Sequence, residues 1–112
     1  SEGEGKVFCM SQRDGALEIC IRMEKPSDFS VDLYGTPITY AASCGKLGVG
    51  EEVYEIGKYL NDFSLLADGE LLEASAENGL VLAMMELPSD RKRGNVTVKV
   101  SGKAAVDIYR ID

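Results

Sequence analysis

The chain has 112 residues, 45% of them hydrophobic and 28% charged, and contains no Trp and no His. That length supports one hydrophobic core rather than two, and without His there is no Ser-His-Asp triad, no Cys-His pair and no His-containing metal site. Nineteen acids against twelve bases give a formal charge of −7, which opposes binding through nucleic-acid phosphates.

The opening Ser-Glu-Gly-Glu-Gly reads as a disordered tail (1–5) ahead of a single β-rich domain over 6–112. It lacks the basic and apolar layout of a signal peptide, and no apolar run reaches the roughly 18 residues of a membrane-spanning helix. Cys9, Cys20 and Cys44 form no CxxC pair and no metal-ligand spacing. Their odd number suits a reducing compartment better than a disulfide framework. The expectation is a cytoplasmic, non-catalytic protein with no metal and no cofactor.

Turn dipeptides organise the chain, because Gly after Asp or Asn supplies positive φ cheaply. Asp14-Gly15, taken as a two-residue turn, sets Met10 against Ile19, Phe8 against Ile21 and Cys9 against Cys20. Lys25-Pro26-Ser27-Asp28 then interrupts, since Pro cannot donate to a ladder. Phe29–Tyr34 and Ile38–Ala42 read as two short strands, or one strand bent at Gly35-Thr36-Pro37, and Cys44–Gly50 as a glycine-rich loop. Next the period changes: Val53, Ile56, Gly57 and Leu60 fall at i, i+3, i+4 and i+7 with acids and Lys58 opposite. This spacing predicts an amphipathic helix over about 51–62.

From Phe63 the period returns to two. Phe63–Ala67, Glu70–Ala76, Gly79–Leu87, Asn95–Val100 and Ala104–Ile111 read as consecutive strands, with turns at Asp68-Gly69, Asn78-Gly79 and Ser101-Gly102-Lys103. Leu80–Met85 is apolar on both faces, which predicts a central strand covered on each side. Face consistency in the last hairpin sets Val100 by Ala104, Val98 by Val106 and Val96 by Ile108. The expected fold is mainly β (α+β): an antiparallel sandwich or half-barrel of seven to eight strands with one inserted helix.

Candidate chemistry is sparse. Cys9 and Cys20 are either a cross-strand redox pair or two small buried side chains. Cys44 has Lys46 nearby but no His to act as its base. Gly45–Gly50, leading into the expected helix, offers backbone N–H groups to a phosphate, although neither GxxxxGK[ST] nor GxGxxG is present and Glu51 and Glu52 oppose an anion. Arg91, Lys92 and Arg93 make a secondary basic loop. The most distinctive feature is acidic: Glu51, Glu52, Glu55, Asp62, Asp68, Glu70, Glu73 and Glu77 share one stretch with a single base, Lys58. Such a surface attracts a basic protein, and Tyr54 and Tyr59, flanking the helix stripe, would serve as contact residues.

The layout from Glu51 to Tyr109, a short helix and then a meander ending in Arg93-Gly94-Asn95-Val96-Thr97-Val98-Lys99-Val100, resembles WapI-type bacterial immunity proteins. The resemblance implies a non-catalytic inhibitor whose acidic surface meets a basic toxin. The expected function is therefore an acidic domain docking a basic protein, of immunity, inhibitor or adaptor type. The alternatives are an assembly subunit forming a homo-oligomer and a phosphate or small-molecule binder using 45–50.

Overall fold

The computed structural model describes residues 2–4, 7–12, 16–68, 70–76, 80–86 and 94–111. The described residues form twelve strands and no helix: β1 (Glu2–Glu4), β2 (Val7–Gln12), β3 (Ala16–Met23), β4 (Phe29–Leu33), β5 (Thr36–Ala41), β6 (Lys46–Val49), β7 (Glu52–Glu55), β8 (Asp62–Asp68), β9 (Leu71–Ala76), β10 (Val81–Glu86), β11 (Gly94–Val100) and β12 (Lys103–Ile111). They make two six-stranded sheets, ordered β1-β12-β3-β8-β9-β10 and β2-β11-β4-β5-β6-β7. Every pairing is antiparallel.

The core lies between the sheets and follows from alternation along each strand. Leu17, Ile19, Ile21 and Met23 of β3 are buried, as are Phe63, Leu65 and Ala67 of β8. From the second sheet Phe29, Val31 and Leu33 of β4 meet them, with Ile38, Tyr40, Leu47, Val49, Val96 and Val98. Phe29 anchors the centre, its ring 4.8 Å from Phe63 and 5.5 Å from Tyr40, centroid to centroid. No helix is long and apolar enough to cross a membrane among the described residues.

The helix expected over 51–62 is not formed. Glu52–Glu55 is instead strand β7, pairing Glu52 with Val49 and Glu55 with Lys46. Val53 and Tyr54, a β-branched and an aromatic residue, suit a strand. Gly57 has φ +99°, outside any right-handed helix. The 3.6-residue spacing is coincidental: Val53 is 64% exposed while Leu60 is buried. Between β7 and β8 the chain runs through a pinned connection. Ile56 and Gly57 donate N–H bonds to the Gly45 carbonyl at 2.9 and 3.1 Å, and Met23 donates to the Asn61 carbonyl at 2.7 Å. Gly45 has φ +69°, and a Cβ there would lie 2.5 Å from the Gly57 carbonyl carbon, so the backbones meet where no side chain fits.

Both expected terminal hairpins are also corrected. The Asp14-Gly15 turn lies outside the described residues, but β2 and β3 belong to different sheets. Cys9 stands opposite Thr97, whereas Cys20 stands between Asp107 and Ser64, so the two cysteines are not a cross-strand pair. Likewise β11 pairs with β2 and β4 while β12 pairs with β1 and β3, so Val98 and Val106 do not share a ladder. Ser101-Gly102 is a crossover between sheets, and Gly102 passes so close to Ser27 Oγ that a Cβ would collide with it. Period-two alternation says which side chains share a face, not which strand lies alongside. Leu80–Met85, expected in the middle of a sheet, overlaps β10 (Val81–Glu86), which among the described residues lies at a sheet edge. Glu2–Glu4, within the expected tail, pair with β12 as β1.

Other strands match the expectation. The expected Phe29–Tyr34 and Ile38–Ala42 correspond to two separate strands, β4 (Phe29–Leu33) and β5 (Thr36–Ala41), and β8 pairs with β9 with Asp68 opposite Leu71.

Candidate functional site

The alternation that buries one face of the second sheet directs its other residues outward. Across β11, β4, β5, β6 and β7 the register runs Lys99, Ser30, Thr39, Gly48, Val53 in one row. The next row holds Thr97, Asp32 and Pro37. Side chains opposed in this way have Cβ atoms about 5 Å apart, so three hydroxyls, one carboxylate and one ammonium share a small area.

Ser30, Asp32, Pro37, Thr39, Thr97 and Lys99 line an open depression of about 350 Å³. A second, of about 330 Å³, shares Ser30 and Lys99 with it and extends to Asp28 and Ser101. Together they form a groove along β4 and β11.

Local sequence fixes the groove's shape. β4 and β5 are joined by the two-residue turn Tyr34-Gly35, with φ of 53° and 87°, the pattern of a type I′ hairpin. The Gly35 N–H donates to Asp32 Oδ1 at 2.8 Å, which orients that carboxylate at one end of the groove. At the other end Asp28 Oδ1 accepts from the Ala42 N–H at 2.8 Å. Gly48 keeps the β6 side open, because a Cβ there would lie 2.9 Å from Thr39 Oγ1. Hydroxyls both donate and accept, while Asp32 accepts and Lys99 donates with charge assistance. The groove thus offers hydroxyl, carboxylate and ammonium groups close together, and the aromatic residue in its lining, Phe29, has its ring buried in the core.

The sequence-selected residues do not occupy one surface. Glu51, Glu52, Asp68 and Glu70 lie at the end carrying the β6–β7 and β8–β9 turns, with Glu86 closing β10 opposite Leu71. Gly50 lies against Met85 there, which ties the two sheets together at that end. Glu55 and Asp62 belong to the opposite end, and Tyr59 is 88% exposed in the connection between them. Glu73 sits on the outer face of the first sheet opposite Leu66 and Met84, and Tyr54 is half-buried against the core. Glu77, Arg91, Lys92 and Arg93 lie outside the described residues.

The Gly45–Gly50 stretch is mostly strand β6, so it leads into no helix terminus that would hold a phosphate. Cys44 is exposed, its Sγ 3.8 Å from the Ala41 carbonyl oxygen. Among the described residues no group of three or more His, Cys, Asp or Glu is placed to hold a metal ion.

The groove residues escape a reading of the sequence because no ligand-binding motif brings them together. Thr39, Thr97 and Lys99 are ordinary outward positions of amphipathic strands. The signal available is hydroxyl and charged residues at alternate positions of three strands whose adjacency only the fold supplies.

No protein-family model matches the chain, and no curated protein matches it. Solved structures do. Galectin LEC-6 of Caenorhabditis elegans aligns over 95% of both chains, at TM-score 0.58 and 16% identity. The carbohydrate-binding module CBM66 from Bacillus subtilis aligns over 97% of this chain and 81% of its own, at 0.58 and 10%. A glycoside hydrolase family 32 protein from Bifidobacterium adolescentis aligns over 98% of this chain at 0.68 and 14%, and the match spans 20% of that larger chain. At such identities the likeness is one of fold: this chain is a two-sheet antiparallel sandwich of the galectin kind.

Proposed function

We propose that this chain is a non-catalytic binding domain that holds a carbohydrate across the outer face of its second sheet. The observation that carries the reading is the groove along β4 and β11, where Ser30, Thr39, Thr97, Asp32 and Lys99 present donors and acceptors at cross-strand spacing. The galectin and the carbohydrate-binding module that share the fold support the same reading. The one aromatic residue in the lining, Phe29, has its ring buried in the core, so affinity rests on polar contacts that replace water.

A glycan array probed with labelled protein tests this, with Asp32→Ala and Lys99→Ala as variants. The expected result is retention on a subset of glycans, lost in both variants while Glu73→Ala on the other sheet leaves it unchanged. Absence of retention, or retention indifferent to Asp32 and Lys99, overturns the proposal.

A second reading rests on the acidic end formed by Glu51, Glu52, Asp68, Glu70 and Glu86. These carboxylates would dock a basic protein, in the manner of an immunity protein, inhibitor or adaptor. Its mark is a stoichiometric partner released at high salt and weakened by Glu51→Lys with Glu52→Lys.

A further inference from the structure

We infer that the carbohydrate held in this groove is acidic, with its carboxylate or sulfate group placed where the groove leaves β11 and reaches Lys99 and Lys25. The inference rests on the carbohydrate reading and names the class of glycan. The depression that ends at Asp28 and Ser101 is followed by another of about 360 Å³, which begins at their chain neighbours Ser27 and Gly102 and is lined also by Glu24, Lys25 and Lys103. A third, of about 200 Å³, continues past Lys103 to Arg22 on the first sheet.

Charge is spread unevenly along this path. Of the bases among the described residues, Arg22, Lys25, Lys99 and Lys103 line it, while Lys46, Lys58 and Arg110 do not. Of the more numerous acids among those residues, only Glu24, Asp28 and Asp32 line it, on a chain of net charge −7.

Those acids do not cancel the lysines. Asp32 is held at the far end of the groove by the Gly35 N–H, and Asp28 gives Oδ1 to the Ala42 N–H. Glu24 lies toward the first sheet, in the depression it shares with Arg22 and Lys103. Arg22 is 3.6 Å from Asp107, and Lys103 stands opposite Glu4 in its ladder, so acids already stand near those two cations. Lys25 and Lys99 form no ion pair among the described residues.

The groove is thus polarised from end to end. Four residues of strand separate Asp32 from Asp28, roughly 13 Å, which more than one sugar ring is needed to span. Neutral hydroxyls of the ligand lie toward Asp32, and its anionic group lies toward Lys99 and Lys25, where ammonium groups donate charge-assisted bonds. Backbone bonds brace the lysine end. The Ser101 N–H donates to the Asp28 carbonyl at 2.9 Å and Ser27 Oγ to the Lys25 carbonyl at 3.1 Å, while Asn61 Nδ2 donates to the Met23 and Glu24 carbonyls at 3.1 and 3.3 Å. The acidic end is remote: the length of β3, roughly 23 Å, separates Ala16, opposite Asp68, from Met23, opposite Ala104. That exceeds the screening length of about 8 Å at physiological salt, so an anion beside Lys25 is not repelled from there.

A glycan array of matched pairs tests the inference, with uronic-acid oligosaccharides beside their carboxyl-reduced forms and sulfated oligosaccharides beside their desulfated forms. At low salt the acidic member of at least one series should be retained about fivefold more strongly than its neutral partner, the worth of two exposed ion pairs. The series that responds shows whether carboxylate or sulfate is the group taken. High salt should bring the ratio toward one. Lys25→Glu, at an exposed position, should do the same with circular dichroism unchanged, whereas Lys58→Glu, an equal charge change outside the path, should keep most of the preference. Neutral partners retained as strongly as acidic ones overturn the inference and leave the carbohydrate reading in place. So does an acidic preference indifferent to Lys25→Glu. No retention of any pair overturns both.

Discussion

Replacing Tyr40 by Phe removes one oxygen atom and measures what holds the connection that takes the place of a helix. Tyr40 is fully buried, and its hydroxyl donates to the Gly57 carbonyl at 2.9 Å while accepting from the Leu60 N–H at 3.4 Å. The ring packs on Phe29 and is kept by Phe, so the substitution isolates the hydroxyl. Two backbone groups lose their partner. The Leu60 N–H belongs to a buried residue, and the desolvation cost of leaving such groups unpaired is about 2 kcal/mol in total. For a domain of this size that lowers Tm by about 8 °C. Urea unfolding followed by circular dichroism reads the free energy, and amide exchange at Leu60 reads the site. A loss under about 0.5 kcal/mol, with unchanged exchange at Leu60, would refute the claim that this hydroxyl pins the connection.

Gly45 and Gly57 both have positive φ, at +69° and +99°, but differ in space. A Cβ at Gly45 meets the Gly57 backbone at 2.5 Å, whereas one at Gly57 meets nothing within 4 Å. Gly57→Ala should therefore cost about 1 kcal/mol of backbone strain, and Gly45→Ala several kcal/mol through strain plus collision. Equal losses in urea titrations would contradict this. Tyr34 has its pKa raised above 10.0, chiefly by burial, with Arg110 opposing. The unfolded chain releases that proton first, so the contribution is whole below about pH 10 and declines as pH rises through the raised folded value. Tyr34→Phe should flatten the alkaline fall in stability, and an unchanged slope would contradict the assignment. Gly48→Ala pushes against Thr39 Oγ1 and should weaken glycan retention severalfold with Tm nearly unchanged; undiminished retention would remove Thr39 from the site.

The faces of this molecule are more legible in its sequence than the partners of its strands. Alternation correctly marks Leu17, Ile19 and Ile21 as one buried set, and Val96, Val98 and Val100 as another. In a sandwich, however, consecutive strands often cross from one sheet to the other, and a hairpin pattern across Ser101-Gly102 looks the same whether the chain turns back or crosses over. The expected helix misleads for a different reason. Four residues at helical spacing mask Val53, Tyr54 and Gly57, whose local preferences favour a strand and a left-handed break. Without that helix, its expected acidic face is spread over two sheets and both ends of the molecule. Apolarity on both faces of β10 suggests a central strand, but among the described residues β10 stands at the edge of its sheet. The groove is invisible in the sequence because β11, which completes it beside β4, lies far along the chain from the β4–β5 hairpin.

The carbohydrate reading is tested at its centre by an amide-resolved nuclear magnetic resonance titration with the glycan most strongly retained on the array. Saturable shifts are expected at Ser30, Asp32, Thr39, Thr97 and Lys99, with Ser64, Leu66 and Glu73 on the opposite sheet unmoved. Shifts confined to Ser64, Leu66 and Glu73, or to the acidic end at Glu51 and Glu70, would contradict it.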